Sequence, residues 1–154
     1  MNALIESFYL DVKIQRLEHW KKRSVTDIIY DISKQTGIKV YFFDYQSELN
    51  NLGGEWRIFL NQKQNKAKIW QDFGRQFGVY ISYQLLIKGN RTDEMKDFFY
   101  HFCVPTFLLN ELMVMPSFKN KEKEKEWLIG EIARVFHVEY QFAKTRLGLY
   151  LQSF

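Results

Sequence analysis

The chain has 154 residues, enough for one domain with a small helical appendix, and 46% of them are hydrophobic. That much apolar surface offsets chain entropy and excludes disorder as the main state; two prolines and eight glycines exclude collagen-like and low-complexity chains. Twenty-two basic against eighteen acidic residues leave a net charge of +4, short of the footprint of a dedicated nucleic-acid binder.

Nine Tyr, fourteen Phe and four Trp exceed what a small domain buries fully. Some are therefore expected to line a groove or a partner surface. The single cysteine, Cys103, excludes an intrachain disulfide and fits a reducing cytoplasm. The start of the chain carries Glu6 and Asp11 and no basic segment ahead of an apolar one, so it does not read as a signal peptide. The longest apolar stretch, Phe98 to Met115, is broken by His101, Pro105, Asn110 and Glu111. It is not a clean membrane span, and the expectation is a cytoplasmic chain with no membrane partner.

In chain order, Leu4, Phe8 and Val12 recur at helical spacing. Ser24 is an N-cap with Asp27 three residues on; Val25, Ile28, Ile29 and Ile32 form one apolar face, and Gly37 stops the helix. Lys39 to Phe43 reads as a strand, Asn50 to Gly54 as a turn cluster, and Trp56 to Leu60 as a second strand paired antiparallel with the first. A long helix follows, roughly Asn65 to Gln84, with Ile69, Phe73, Phe77 and Tyr80 as its apolar face. Gly74 and Gly78 inside it each cost about 1 kcal/mol against Ala, which implies that another backbone packs close.

Lys88 to Arg91 reads as a polar turn, Thr92 to Cys103 as a helix, and Phe107 to Met113 as a short helix beyond Pro105. Lys119 to Glu126 is a solvated charge run. The last thirty residues form a helical hairpin. One stripe is Leu128, Ile132, Val135 and Phe136. The other is Tyr140, Ala143, Leu147, Tyr150 and Leu151, with His137-Val138-Glu139 as the turn. Such a pair caps a core, or acts as a helix-turn-helix whose second helix offers Lys144 and Arg146 to phosphate.

Three strings carry a resemblance. They are Trp70-Gln71-Asp72-Phe73-Gly74, Tyr100-His101-Phe102-Cys103-Val104-Pro105-Thr106-Phe107, and the closing pattern Ile132-Ala133, Phe136, Val138, Phe142-Ala143, Arg146-Leu147. With Ile58 to Asn61 they make the chain resemble the ImmA/IrrE family of small zinc metallopeptidases, common in phages and integrated elements. The resemblance implies an α+β, mainly helical, zincin-like fold, with a small antiparallel sheet packed on the metal helix. Residues 1–118 would form the peptidase-like domain and 119–154 the helical hairpin on the same core. In such proteins Trp-Gln-Asp-Phe-Gly runs into His-Glu-x-x-His, two zinc ligands on one helix face with the general base between them.

Here those five positions are Arg75-Gln76-Phe77-Gly78-Val79. Both ligands and the base are gone, while the third-ligand position falls near Glu94, beside Asp93. The expectation is a pseudoenzyme with no catalytic residue, no metal and no cofactor. It would bind a protein partner, a phage repressor or a host defence protein. Arg75 is expected to fill the metal position and pair with Glu94 or Asp93. Trp56, Arg57, Lys63, Lys66 and Lys68 are the partner-binding candidates. With Arg75, these four cations make one basic window, and Lys13, Arg16, Lys21, Lys22 and Arg23 make another. The alternatives are an active zinc endopeptidase with a rearranged site and a DNA-binding regulator working through the C-terminal hairpin. His19, His101 and His137 have no ligand-spaced partner, and Cys103 sits among apolar residues that disfavour a thiolate.

Overall fold

A computed structural model describes residues 1–87, 95–114 and 121–154. The turn expected at 88–91, the helix start at Thr92, both Asp93 and Glu94, and the 118/119 boundary lie outside the described residues. Helix α1 (Asn2–Asp11) is followed by a short α2 (Leu17–Lys21) and then α3 (Val25–Thr36). The α3 signals act as expected. The Asp27 amide donates to Ser24 Oγ at 3.1 Å, the four apolar residues are buried, and Gly37 adopts φ 80°.

Helix α2 has no apolar periodicity of its own to announce it. The Arg16 and Gln15 amides donate to His19 Nδ1 at 3.1 and 3.2 Å, and the Leu17 amide donates to Glu111 Oε2 at 2.9 Å. A distant carboxylate and one imidazole thus satisfy its starting turn. Trp20 at its end is fully buried, and its Nε1 donates to the Val135 carbonyl at 2.7 Å.

The sheet corrects the expected pairing. It has three strands, β1 (Lys39–Phe43), β2 (Glu48–Leu52) and β3 (Glu55–Asn61), in the order β1-β3-β2. β1 runs parallel to β3, not antiparallel, with Val40 opposite Ile58 and Phe42 opposite Leu60. The antiparallel partner of β3 is β2, with Leu52 opposite Glu55. Gly53 and Gly54, at φ 62° and 85°, suffice for the hairpin turn, because a two-residue turn of this kind needs positive φ at both positions. Asn50 and Asn51 are therefore free to join a ladder despite their weak strand preference. Residues 44–54 supply the long connection that a parallel pair requires.

Val40, Ile58 and Leu60 point into the core, and β3 and β2 pack on α4 (Lys66–Ile87). A three-way clip fixes where α4 begins. Asp72 Oδ2 accepts from Ser47 Oγ at 2.7 Å and from Gln64 Nε2 at 2.6 Å, and Ser47 Oγ accepts the Asn61 amide at 2.9 Å. The buried face of α4 is Trp70, Phe73, Phe77 and Ile81; Ile69 and Tyr80, expected on it, are half-buried beside it. Gly74 and Gly78 receive α5 (Phe98–Cys103). A methyl at Gly74 would collide with Cys103 Sγ, and one at Gly78 would lie 2.8 Å from Phe98 Cδ1. The close neighbours are mainly side chains; beyond α4 itself, a backbone atom approaches such a methyl at Gly74 only to 3.7 Å, the Phe99 carbonyl oxygen.

After α6 (Thr106–Leu112), the hairpin forms as expected from α7 (Lys121–Phe136) and α8 (Tyr140–Gln152). Its buried residues belong to the same continuous apolar cluster as those of α1 to α6. The α8 stripe needs correction: Tyr140 and Leu151 are exposed, and Phe142 and Arg146 are buried in their place. Among the described residues, no helix is long and apolar enough to cross a membrane. The described part is thus α+β and mainly helical, with a small mixed sheet.

Candidate functional site

Arg75, Gln76 and Val79 all lie within the continuous helix α4. At 3.6 residues per turn, Gln71, Arg75, Val79 and Ser82 share one face of α4, and Gln76 stands about 100° round from Arg75. That face borders a cleft of about 460 Å³ between α4, α5 and the start of α8. Arg75 is exposed and its guanidinium carbon lies 4.9 Å from the centre of the Phe99 ring, a cation–π contact. Beyond Arg75 a smaller hollow of about 180 Å³ continues along the same face; Val79, Met95 and Lys96 line it, and it shares Arg75 and Phe99 with the cleft.

The floor of the cleft is held by Gln71, which is nearly buried. Its Nε2 donates to Glu139 Oε1 at 2.9 Å, and its Oε1 accepts the Glu139 amide at 2.7 Å. This reciprocal pair fixes the start of α8 against α4. The amides of Tyr140, Gln141 and Phe142, in the first turn of α8, then have no intrahelical acceptor. Gln71 belongs to the string that carried the family resemblance, yet its partner lies 68 residues away. No local sequence signal announces that bond.

The residues present do not fit a zinc ion. Arg75 keeps its positive charge, Val79 has no lone pair, and Gln76 cannot act as a base. Among the described residues, no group of three or more His, Cys, Asp or Glu is placed to hold a metal. The expected pairing of Arg75 with Glu94 or Asp93 falls outside the described residues.

The other titratable candidates are structural. Cys103 is fully buried; its Sγ donates to the Trp70 carbonyl at 3.5 Å, and burial pushes the thiol well above its ordinary range. His19 accepts the two amides that start α2. His137 packs on Trp20 at 6.2 Å, and burial lowers its basicity, helped by nearby Lys66. His101 is half-buried, with its Nδ1 buried and unpartnered, and burial and the charge of Arg146 push it down to about 4.

The partner-binding candidates stand in different local settings. Trp56 packs on Tyr80 and Tyr83, with ring centres 5.7 and 5.3 Å away. Arg57 is paired with Glu55 at 2.7 Å, and Glu55 also holds Lys39 at 2.5 Å. Lys63 lies two residues past Asn61, the end of β3, and Asn61 is itself roughly 13 Å along the strand from Arg57 at about 3.3 Å per residue. Lys63, Lys66 and Lys68 are exposed. In the other basic window Arg16 pairs with Glu111 at 3.0 Å and Arg23 with Asp31.

Arg146, one of the two cations assigned to a DNA-reading helix, is fully buried. It donates to the Val104 carbonyl at 2.8 Å and to Thr106 Oγ1 at 2.9 Å. A guanidinium so placed does not reach phosphate. The sequence reading also missed a solvent-facing aromatic cluster on the sheet. Tyr41 stacks on Phe59 with ring centres 5.3 Å apart, and Phe43 lies against Phe59 and Tyr45. Its signal was the odd-numbered alternation of Lys39, Tyr41 and Phe43.

No family model matches the chain, and no solved structure matches it. The phage-like element PBSX protein XkdA of Bacillus subtilis (strain 168) is 32% identical over 126 residues, which is 77% of this chain and 60% of that protein. The uncharacterized protein YqaB of the same organism is 25% identical over 129 residues, covering 79% of this chain and 71% of that protein. The chain is similar in sequence to these two proteins, and it spans only 60% of the length of XkdA.

Proposed function

We propose that this chain is a non-catalytic relative of ImmA/IrrE-type zinc peptidases, encoded by a phage or mobile element, that works by binding a protein through the cleft beside α4. The observation that carries the reading is the helix face itself. Arg75, Gln76 and Val79, the residues that the resemblance aligns with His-Glu-x-x-His, lie on a continuous helix beside an open cleft. The chain's similarity to XkdA, a phage-like element protein, supports the phage-element setting. A repressor or a host defence protein is the partner class proposed. Burial of Arg146 weighs against the hairpin as a DNA reader.

Metal analysis and a rebuilt motif test this together. The purified chain is expected to carry no stoichiometric zinc and to leave casein and candidate repressors uncut. The triple substitution Arg75→His, Gln76→Glu, Val79→His is expected to bring in about one zinc per chain, because it restores ligands on a helix already placed for them. Stoichiometric zinc in the unaltered chain together with cleavage of a partner would overturn the pseudoenzyme reading. A folded triple variant that takes up no zinc would overturn the zincin-like fold.

A further inference from the structure

We infer that the cleft and the hollow form one groove for an extended segment of a partner protein, whose internal Asp or Glu side chain pairs with Arg75. This deepens the protein-binding reading above and rests on it. Three features choose the occupant. First, Arg75 is an exposed cation whose guanidinium carbon lies 4.9 Å from the centre of the Phe99 ring, and among the described residues it has no ion-pair partner. An exposed guanidinium keeps its fork of N–H donors for a planar acceptor, which a carboxylate matches with two parallel hydrogen bonds.

Second, the surroundings favour negative charge. Exposed Lys96 lines the hollow, and the residues of the first turn of α8, whose amides have no intrahelical acceptor, line the cleft. Among the described residues, the one carboxylate lining the cleft, Glu139, already accepts from Gln71. Third, the groove continues on both sides of Arg75, with Tyr100 and Phe142 on the cleft side and Met95 and Phe98 on the other. A chain terminus would end at Arg75 and leave one side empty. A chain passing through brings an acidic side chain to Arg75 and apolar neighbours to both hollows.

The test is selection from a phage-displayed library of random dodecapeptides with internal fusion, so that no free carboxyl terminus is presented. The bait is the full chain. The expected consensus is an Asp or Glu flanked within two or three residues by large apolar side chains. Synthetic peptides from that consensus are expected to bind at least about tenfold more weakly when the acid becomes Gln or when the bait carries Arg75→Gln, the scale of one charge-assisted hydrogen-bonded pair. The variant Arg75→Glu, checked for folding by circular dichroism, is expected to select Lys or Arg at the same consensus position. A merely structural Arg75 would not produce that exchange.

A consensus without acid, or one unchanged by Arg75→Glu, overturns the inference and leaves the protein-binding reading standing. An acidic preference that emerges only in Glu94→Gln means that Arg75 is held inside the chain, and it also overturns the inference. No enriched peptide with any bait removes both readings.

Discussion

His101 enters the fold with its Nδ1 buried and unpartnered, and its basicity falls to about 4. Burial is the main cause. The positive charges of Arg146 and the N-terminal amine add to it, and Asp97 opposes them. The ring is therefore neutral in the folded chain at pH 7, while an unfolded histidine gains a proton near 6.5. Between those values the unfolded state binds more protons, so stability rises with pH from about 4 to 6.5 and falls on acidification through that window. His101→Gln is expected to flatten that slope by about 1–2 kcal/mol, the full shift being reduced because the ring is partly solvated. Urea midpoints measured at pH 7 and pH 4.5 check it. Arg146 supplies a second prediction. Its Nη1 is also buried without a partner, and burial lowers its basicity to about 10. Arg146→Ala leaves a cavity and strips the Val104 carbonyl of its donor, for a cost of about 2–4 kcal/mol. Arg146→Met fills the space without burying a charge, so it is expected to cost clearly less. Denaturant unfolding of the two variants separates the contribution of packing from that of charge.

At the scale of elements, the glycines of the helices divide by what they face. Alanine normally stabilises a helix interior by about 1 kcal/mol over glycine. Gly130 in α7 and Gly148 in α8 meet nothing within 4 Å, so Gly130→Ala and Gly148→Ala should gain close to that amount. Gly74→Ala presses on Cys103 Sγ and Phe102 and is expected to lose about 1–3 kcal/mol by overpacking; adding Cys103→Ala should recover most of the loss. Thermal unfolding of the four variants decides the sign of each. The same contrast shows what was legible in advance. Helix α3 could be read from Ser24, Asp27 and Gly37 because its cap, apolar face and stop are local. The spacing of Gly74 and Gly78 announced close packing, though not that side chains supply it. The parallel order of β1 and β3 was hidden because the turn needs only Gly53 and Gly54. Helix α2 was hidden because Glu111, far along the chain, satisfies its first turn. Of the candidate site, the helix face with Arg75 and Val79 was legible. The clamp of Gln71 on Glu139 and the burial of Arg146 were not, since both depend on partners 40 residues or more away.

For the whole molecule, the helical hairpin is part of the core and not an appendix to it. Trp20 donates to Val135, Arg146 to Val104, and Tyr150 to Asn110 at 2.8 Å, so each hairpin helix is bound to the segments before it. A chain ending at residue 118 is expected to lose cooperative unfolding, and a heteronuclear NMR spectrum of it should show collapsed amide dispersion. Retained dispersion would mean that residues 1–118 fold alone. The indole pair inside this core has an optical consequence. Trp20 and Trp70 are both fully buried, with ring centres 5.4 Å apart and planes inclined at 47°. Two indoles so close and so inclined couple their strongest electronic transitions, which should give a paired positive and negative band in the far-ultraviolet dichroism, superimposed on the helical signal. Since one ring comes from α2 and the other from α4, the couplet exists only while those helices remain docked. Its amplitude is a label-free readout of tertiary assembly, one that helix content alone cannot imitate.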